Sequence, residues 1–170
     1  MNGLDRLNAL PADQARRELL TCCGSTAWAR RVADARPFPG ADALYEAADR
    51  AWWELGEADW REAFRSHPRI GENKAEAGQT GRERAWSAGE QAGMGSAADA
   101  TRHALAEGNR AYEARFGYIY IVCASGKSAD EMLALLRSRL ANDAETEIRV
   151  AAEEQRKITR IRLEKLLAAE

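Results

Sequence analysis

Three groups of polar residues stand where local sequence rules favour something else. His67 precedes Pro68, which pushes the histidine backbone out of the helical region and sets the imidazole at a break between elements. A histidine in that posture suits proton transfer, because its unperturbed pKa of about 6.5 lies near neutrality. The competing reading is a structural or solvated ring. Arg162 falls inside the apolar arc of the last helical stretch, where Ile148 and Leu166 coincide at about 100° per residue and Ala151, Ile158 and Thr159 lie close by. A guanidinium fixed among apolar residues is a fork for a carboxylate. The plainer account packs its aliphatic stem and sends its head to solvent or to a core glutamate. Gln155 shares that arc and favours a lined pocket over a dry core. Ser87 and Glu90 have the spacing of a capping box, which by itself needs no function. Gly93 and Gly95 follow at once, however, and are poor choices for helix stability. A helix start here would offer backbone N–H donors to a polar or anionic ligand.

Metal chemistry is disfavoured by supply. The chain has two histidines, His67 and His103, and three cysteines, Cys22, Cys23 and Cys123, of which two are adjacent and one is remote. That set forms neither a zinc spacing, a CxxC pair nor an even disulfide framework, and it fits a reducing cytoplasm. The net charge is −2 from 25 basic and 27 acidic residues, so there is no global basic field for nucleic acid. No signal peptide and no run of about 18 uncharged apolar residues is present, which argues against export and against a membrane. The C-terminal Ala168-Ala169-Glu170 is no peroxisomal address. With 170 residues, 45% of them hydrophobic and 31% charged, the expectation is one ordered domain over 1–170.

The elements that must position these residues read as helices, since alanine, leucine, arginine and glutamate dominate and apolar residues recur at three and four. The predicted order begins with a helix from Pro11 to Cys23, stopped by Gly24, and continues with one capped by Ser25. Arg36-Pro37-Phe38-Pro39-Gly40 is a loop. A helix capped by Asp42 follows, then a short one with Trp60 and Phe64. The stretch Glu72 to Arg84 has no stripe and is expected to be an exposed, mobile loop. Thr101, Leu105, Asn109, Tyr112 and Phe116 make one stripe, with Asn109 as its polar member and His103 off it. Tyr118 to Ala124, bounded by Gly117 and Gly126, is a short, buried, extended segment. Ser128 and Glu131 form a capping box for the next helix, and Asn142-Asp143 separates it from the last. The five tryptophans are core or interface anchors. The fold class is all-α, a single-domain bundle of about eight helices with one short extended buried segment.

Five separated motifs then join in one order along nearly the whole chain. They are Arg36-Pro37-Phe38; His67-Pro68-Arg69-Ile70-Gly71; Ser87-x-x-Glu90-Gln91-Ala92-Gly93-Met94; Asn109-x-x-Tyr112-x-x-x-Phe116-Gly117-Tyr118; and Ile158-x-x-Ile161-Arg162-Leu163. Together they resemble the OHCU decarboxylase family, whose name abbreviates 2-oxo-4-hydroxy-4-carboxy-5-ureidoimidazoline, a product of urate oxidation. The resemblance implies an all-helical homodimer that uses no cofactor and converts this small molecule to (S)-allantoin with loss of carbon dioxide. It also implies that His67 is the catalytic acid/base and Glu90 its carboxylate partner. Pro68, then Ser87, Ala88, Gly89, Glu90 and Gln91, then Tyr120, Ile121, Val122, Cys123 and Ala124 would bind substrate, the last group mainly through backbone. Arg162 would face the ligand. Tyr118 stands where phenylalanine is common, Ile119 where proline is common, and the stretch between Gln91 and Gly93 is short.

The chemistry of the residues is compatible with that implication. An oxidised imidazoline carries its own carbonyl and imine sink for the electron pair of decarboxylation, so the protein's task is to orient a carboxylate, exclude water and deliver a proton to one face of a carbon. His67 is expected to be the proton donor, with Glu90 positioning the hydroxyl or the imidazole. Two other classes are set beside this one. A non-catalytic helical adaptor would have no reason to keep His67, Glu90, Gln91 and Arg162 together. A hydrolase on a related ureido or imidazoline compound would need an activated water or a metal that no motif supplies.

Overall fold

A computed structural model describes residues 1–70, 81–91 and 98–169. Nine α-helices and no strand occur among them: α1 Gly3–Ala9, α2 Ala12–Leu20, α3 Thr26–Asp34, α4 Ala41–Trp53, α5 Glu57–Phe64, α6 Gly81–Glu90, α7 Asp99–Phe116, α8 Ala129–Arg139 and α9 Ala144–Ala168. The extra element relative to the eight expected includes α1, in a stretch that carries no apolar stripe long enough to announce itself. Asn2 caps it by accepting from Asp5 N–H at 2.8 Å. No helix among the described residues is long and apolar enough to cross a membrane.

The chain divides into two compact units. One comprises Met1–Ala63 together with the chain from Arg156 on, and the other is Phe64–Gln155. In the first unit α3 packs against α2 and α4 around buried Leu19, Trp28, Val32, Leu44 and Trp52. The Ser25 side chain caps α3 on Trp28 N–H at 3.2 Å, as expected. α4, by contrast, starts at Gly40 without a side-chain cap, and Asp42 lies in its first turn, where a carboxylate still favours the helix dipole. The loop from Arg36 contains a cis Arg36–Pro37 peptide. Its Arg36 guanidinium donates to the carbonyls of Leu7 at 2.8 Å and Leu10 at 2.7 Å, which satisfies the end of α1. Gly3 meets the backbone of Leu167 so closely that no Cβ would fit between them. Of the tryptophans, Trp28, Trp52 and Trp60 are buried, whereas Trp53 is 41% exposed and lies edge-on to Trp60.

In the second unit α7 packs on α8, and Gly108 of α7 leaves the space that the Leu136 side chain of α8 fills. The predicted stripe holds from Leu105 on: Leu105, Asn109, Tyr112 and Phe116 are buried and His103 is exposed, whereas Thr101 is only half-buried and donates to Asp130 at 2.9 Å. Gly117 closes α7 in the left-handed region at φ 83°. The chain then runs through Tyr118 to Ala124, all seven residues buried and none in a helix or strand. The capping box of α8 is present, with Ser128 Oγ accepting from Glu131 N–H at 3.1 Å and the Glu131 carboxylate accepting from Ser128 N–H at 3.4 Å. Asp143 accepts from Thr146 N–H at 2.7 Å and opens α9.

Two expectations fail between Glu72 and Gln91. Residues 81–84 are the first turn of α6, not loop, and 71–80 lie outside the described residues, as do Gly93 and Gly95. Ser87 does not cap a helix start; it sits inside α6, whose last residue is Glu90. The capping-box spacing misled because the same three-residue step also puts two side chains on one face of a continuing helix.

Candidate active site

The segment from Tyr118 to Ala124, expected to contribute to the site, is held by buried side chains in place of a sheet. Arg139, near the end of α8, donates through Nη1 to the Ile121 carbonyl at 2.6 Å and through Nε to Glu147 at 2.6 Å. Glu147 accepts in addition from Tyr112 OH at 2.5 Å and from Asn142 at 2.9 Å. The guanidinium also lies over the Tyr120 ring, 4.8 Å from its centroid. Burial opposes the charge on Arg139 most strongly of any single effect, but Glu147, Tyr112 and Tyr120 together outweigh it and raise the pKa above its ordinary value. Burial pushes the Tyr112 and Tyr120 phenols well above theirs. Tyr120 OH donates to the Met132 carbonyl at 3.0 Å, so this side chain anchors the segment. Further along, Cys123 N–H donates to Glu154 of α9 at 3.1 Å, and Lys127 Nζ donates to the Cys123 carbonyl at 2.7 Å. The Ile121 carbonyl and both backbone groups of Cys123 therefore serve the fold first, which narrows the expectation that the segment binds through its backbone.

His67 enters from the turn after α5. Its N–H donates to the Phe64 carbonyl at 3.2 Å, and the two residues beyond Pro68 are tied to α7. Arg69 makes a two-pronged contact with Glu113 at 2.9 and 2.7 Å, and Asn109 Nδ2 donates to the Ile70 carbonyl at 3.3 Å. The imidazole is not displayed, as the preceding-proline argument suggested, but buried at 7% exposure. Its Nε2 lies 2.6 Å from Oε1 of Gln155, a fully buried residue of α9. The proline sets the backbone of the turn; the burial comes from α9, 88 residues away in sequence.

Ser87 and Glu90 are buried on one face of α6, Gly89 is exposed and Gln91 half-buried; the side chain of Ala88 lies outside the described set. Because Glu90 ends the helix, and Gln91 N–H is already bonded to the Ser87 carbonyl at 3.1 Å, this is a helix exit. It does not present the row of open N–H donors that a helix start would. Burial pushes the pKa of the Cys123 thiol up, and the carboxylates of Glu154 and Glu90 push the same way, against Ser125 N–H and Lys127. From α9, Glu154 thus holds the Tyr120–Ala124 segment and Gln155 holds His67.

Arg162 belongs to the other unit, where it is 2% exposed, so it does not escape to solvent. It lies near Cys23, whose thiol burial pushes up to about 12 against the opposing effects of Ser25 N–H, Thr159 and the Arg162 cation. Such a thiol is inert as a nucleophile or soft ligand near neutral pH. Among the described residues no group of three His, Cys, Asp or Glu could hold a metal ion.

The second unit contains a buried imidazole with a fixed partner, a buried carboxylate at a helix exit and a buried irregular backbone segment. That combination suits proton transfer on a small polar ligand. A family model described as OHCU decarboxylase matches residues 8–164. The chain belongs to the OHCU decarboxylase family. Members of this family are carboxy-lyases. Among proteins similar to this OHCU decarboxylase-family chain is the uric acid degradation bifunctional protein TTL of Arabidopsis thaliana, 34% identical over 151 residues. That match covers 89% of this chain and 47% of that protein, so the chain spans about half of its relative's length. A 2-oxo-4-hydroxy-4-carboxy-5-ureidoimidazoline decarboxylase of Amia calva is 30% identical over 143 residues, covering 82% of this chain and 79% of that one. The crystal structure of an OHCU decarboxylase in the presence of (S)-allantoin is similar at a TM-score of 0.75 and 33% identity, over 89% of this chain and 98% of that chain.

Sequence reasoning missed Glu154 and the Arg69–Glu113 fork, and gave Gln155 no partner. Glu154 and Gln155 are consecutive, hence about 100° apart on a helix, and a one-stripe reading admits only one of them. Both are buried because segments pack on α9 from two directions.

Proposed function

We propose that this chain decarboxylates 2-oxo-4-hydroxy-4-carboxy-5-ureidoimidazoline to (S)-allantoin and carbon dioxide, without a cofactor, in the reducing cytoplasm and as a homodimer. The observation that carries the reading is the buried His67 imidazole held at 2.6 Å by Gln155 in a family of decarboxylases. The pair of electrons released from the carbon–carboxylate bond passes into the imine of the ring, whose nitrogen takes up a proton from solvent as carbon dioxide leaves. The hydroxyl then gives up its proton to become a carbonyl, and a proton is added to the neighbouring carbon. His67 is the proton-transfer residue, Glu90 positions the hydroxyl or the imidazole, and Arg162 takes the substrate's anionic oxygens. Ser87, Gln91 and the Tyr120–Ala124 segment shape the pocket. The homodimer rests on the family resemblance, and the reducing compartment on the three free, buried cysteines.

The direct test generates the intermediate with urate oxidase and hydroxyisourate hydrolase, adds this protein and follows circular dichroism. An (S)-allantoin signal that rises faster than spontaneous decay is expected; a trace superimposed on the uncatalysed one sinks the reading. A second prediction concerns Arg162. Replacing it with alanine is expected to raise KM about tenfold or more, as loss of a charge-assisted contact of roughly 1.5–3 kcal/mol implies. An unchanged KM in a folded variant would leave Arg162 a packing residue.

A further inference from the structure

We infer that Gln155 is the positioning residue that fixes the tautomer of His67, with the proton on Nε2 and the lone pair on Nδ1. The inference deepens the reading of His67 as the proton-transfer group and rests on it for its catalytic meaning. The geometry itself is independent of that reading. Nε2 faces the amide oxygen Oε1 of Gln155 at 2.6 Å, and both side chains are buried. An amide oxygen has only lone pairs, so a short contact to it requires the ring nitrogen to be the donor. A neutral imidazole has one N–H, and placing it on Nε2 leaves Nδ1 as the basic nitrogen.

The surroundings tie both partners to the second unit. His67 is pinned by its N–H on the Phe64 carbonyl, and the turn beyond it is tied to α7 through Arg69–Glu113 and Asn109–Ile70. On α9 the neighbouring Glu154 is bonded to Cys123 N–H at 3.1 Å, which fixes the helix against the site segment. A neutral acceptor is also the right kind of partner for a group that must both take and return a proton. The hydrogen bond persists when Nδ1 is protonated, and it adds no second negative charge that would hold the imidazolium proton too firmly for delivery to carbon. Proton uptake from the substrate hydroxyl and proton return to the neighbouring carbon would then both occur at Nδ1, leaving the ring as it began.

The test reads the tautomer directly in the resting protein. With only two histidines in the chain, nitrogen NMR of isotope-labelled histidine at about pH 8, above the ordinary imidazole pKa of about 6.5, separates the rings. A His103→Asn variant assigns them. The expected result is His67 as a single Nε2–H tautomer. Gln155→Met should give a mixture of the two tautomers and lower kcat about tenfold or more, with KM within about twofold, part of what acid–base catalysis contributes. Gln155→Glu, which keeps an acceptor oxygen, should restore the Nε2–H form. A wild-type His67 in the Nδ1–H form overturns the inference, as does an unchanged tautomer ratio in Gln155→Met; if that variant fails to fold, the wild-type spectrum decides alone. Because the spectrum needs no substrate, an inactive protein with the Nε2–H form would sink the decarboxylase reading and leave the tautomer assignment standing.

Discussion

Replacing His67 with alanine is expected to lower the rate of enzymatic decarboxylation by about 10²–10⁴-fold, the range that a positioned acid/base contributes. The ring is buried, so the variant also removes the contact that the Gln155 amide oxygen makes with Nε2, at a cost of about 1–3 kcal/mol. Loss of activity must therefore be separated from loss of fold. His67→Asn makes that separation, since an asparagine amide keeps hydrogen-bonding capacity in the hole but cannot shuttle a proton near neutral pH. Both variants should be slow, and His67→Asn should melt closer to the parent. The optical purity of the product is the second readout: with no group to deliver a proton to one face, the allantoin formed should drift toward racemic. A folded His67→Ala protein that still released optically pure (S)-allantoin at the parent rate would falsify the assignment.

Removing Arg139 is expected to give the largest loss of stability of any single charge in the second unit. Its guanidinium and the Glu147 carboxylate are both buried, and breaking such a pair by deleting one partner typically costs about 3–5 kcal/mol. In a protein whose total stability is of order 5–15 kcal/mol, that is a fall in Tm on the order of 10 °C. Arg139→Ala leaves Glu147 with the Tyr112 hydroxyl and Asn142 as donors and leaves the Ile121 carbonyl without its guanidinium. Pairing Arg139→Met with Glu147→Leu removes both charges, and thermal melts of the two single variants and the double should show coupling of about 0.5–3 kcal/mol. The double variant is expected to recover stability but not activity, because nothing then holds the Ile121 carbonyl. If stability and activity returned together, the network would be packing alone, with no part in shaping the pocket.

Much of this molecule was legible in the sequence because helices declare themselves by period and punctuation. The Ser25 cap, the Ser128–Glu131 box, the Asp143 start and the α7 stripe all follow from local rules, and each is present. What failed was also local. Asp42 has a capping side chain but Gly40 takes the cap position, and the Ser87–Glu90 spacing fits a helix interior as well as a helix start. The candidate residues of the site came from rule-breaking positions, such as His67 before a proline and Arg162 within an apolar arc, and from the five-motif resemblance; the structure shows both side chains buried. The supports of the candidate site were not legible. Arg139 and Glu147 look like ordinary surface charges on two helices, and only the packed structure closes them around Tyr112. Sequence can flag a polar residue on an apolar face, but its partner, 88 positions away for His67, is set by tertiary packing.

The segment from Tyr118 to Ala124 has a consequence for the order in which the protein assembles. Its hydrogen-bonding partners include Met132, Arg139 and Glu154, which lie 12, 18 and 31 residues further along the chain from the groups they hold. Unlike a helix, it gains little from its immediate neighbours, so the entropy of closing those loops must be met before its contacts form. Helices α7 and α8 can form early on local contacts. The stretch proposed to shape the site is therefore expected to take its form only after α8 and α9 have docked, which would make a competent site a late product of folding, tied to completion of the second unit.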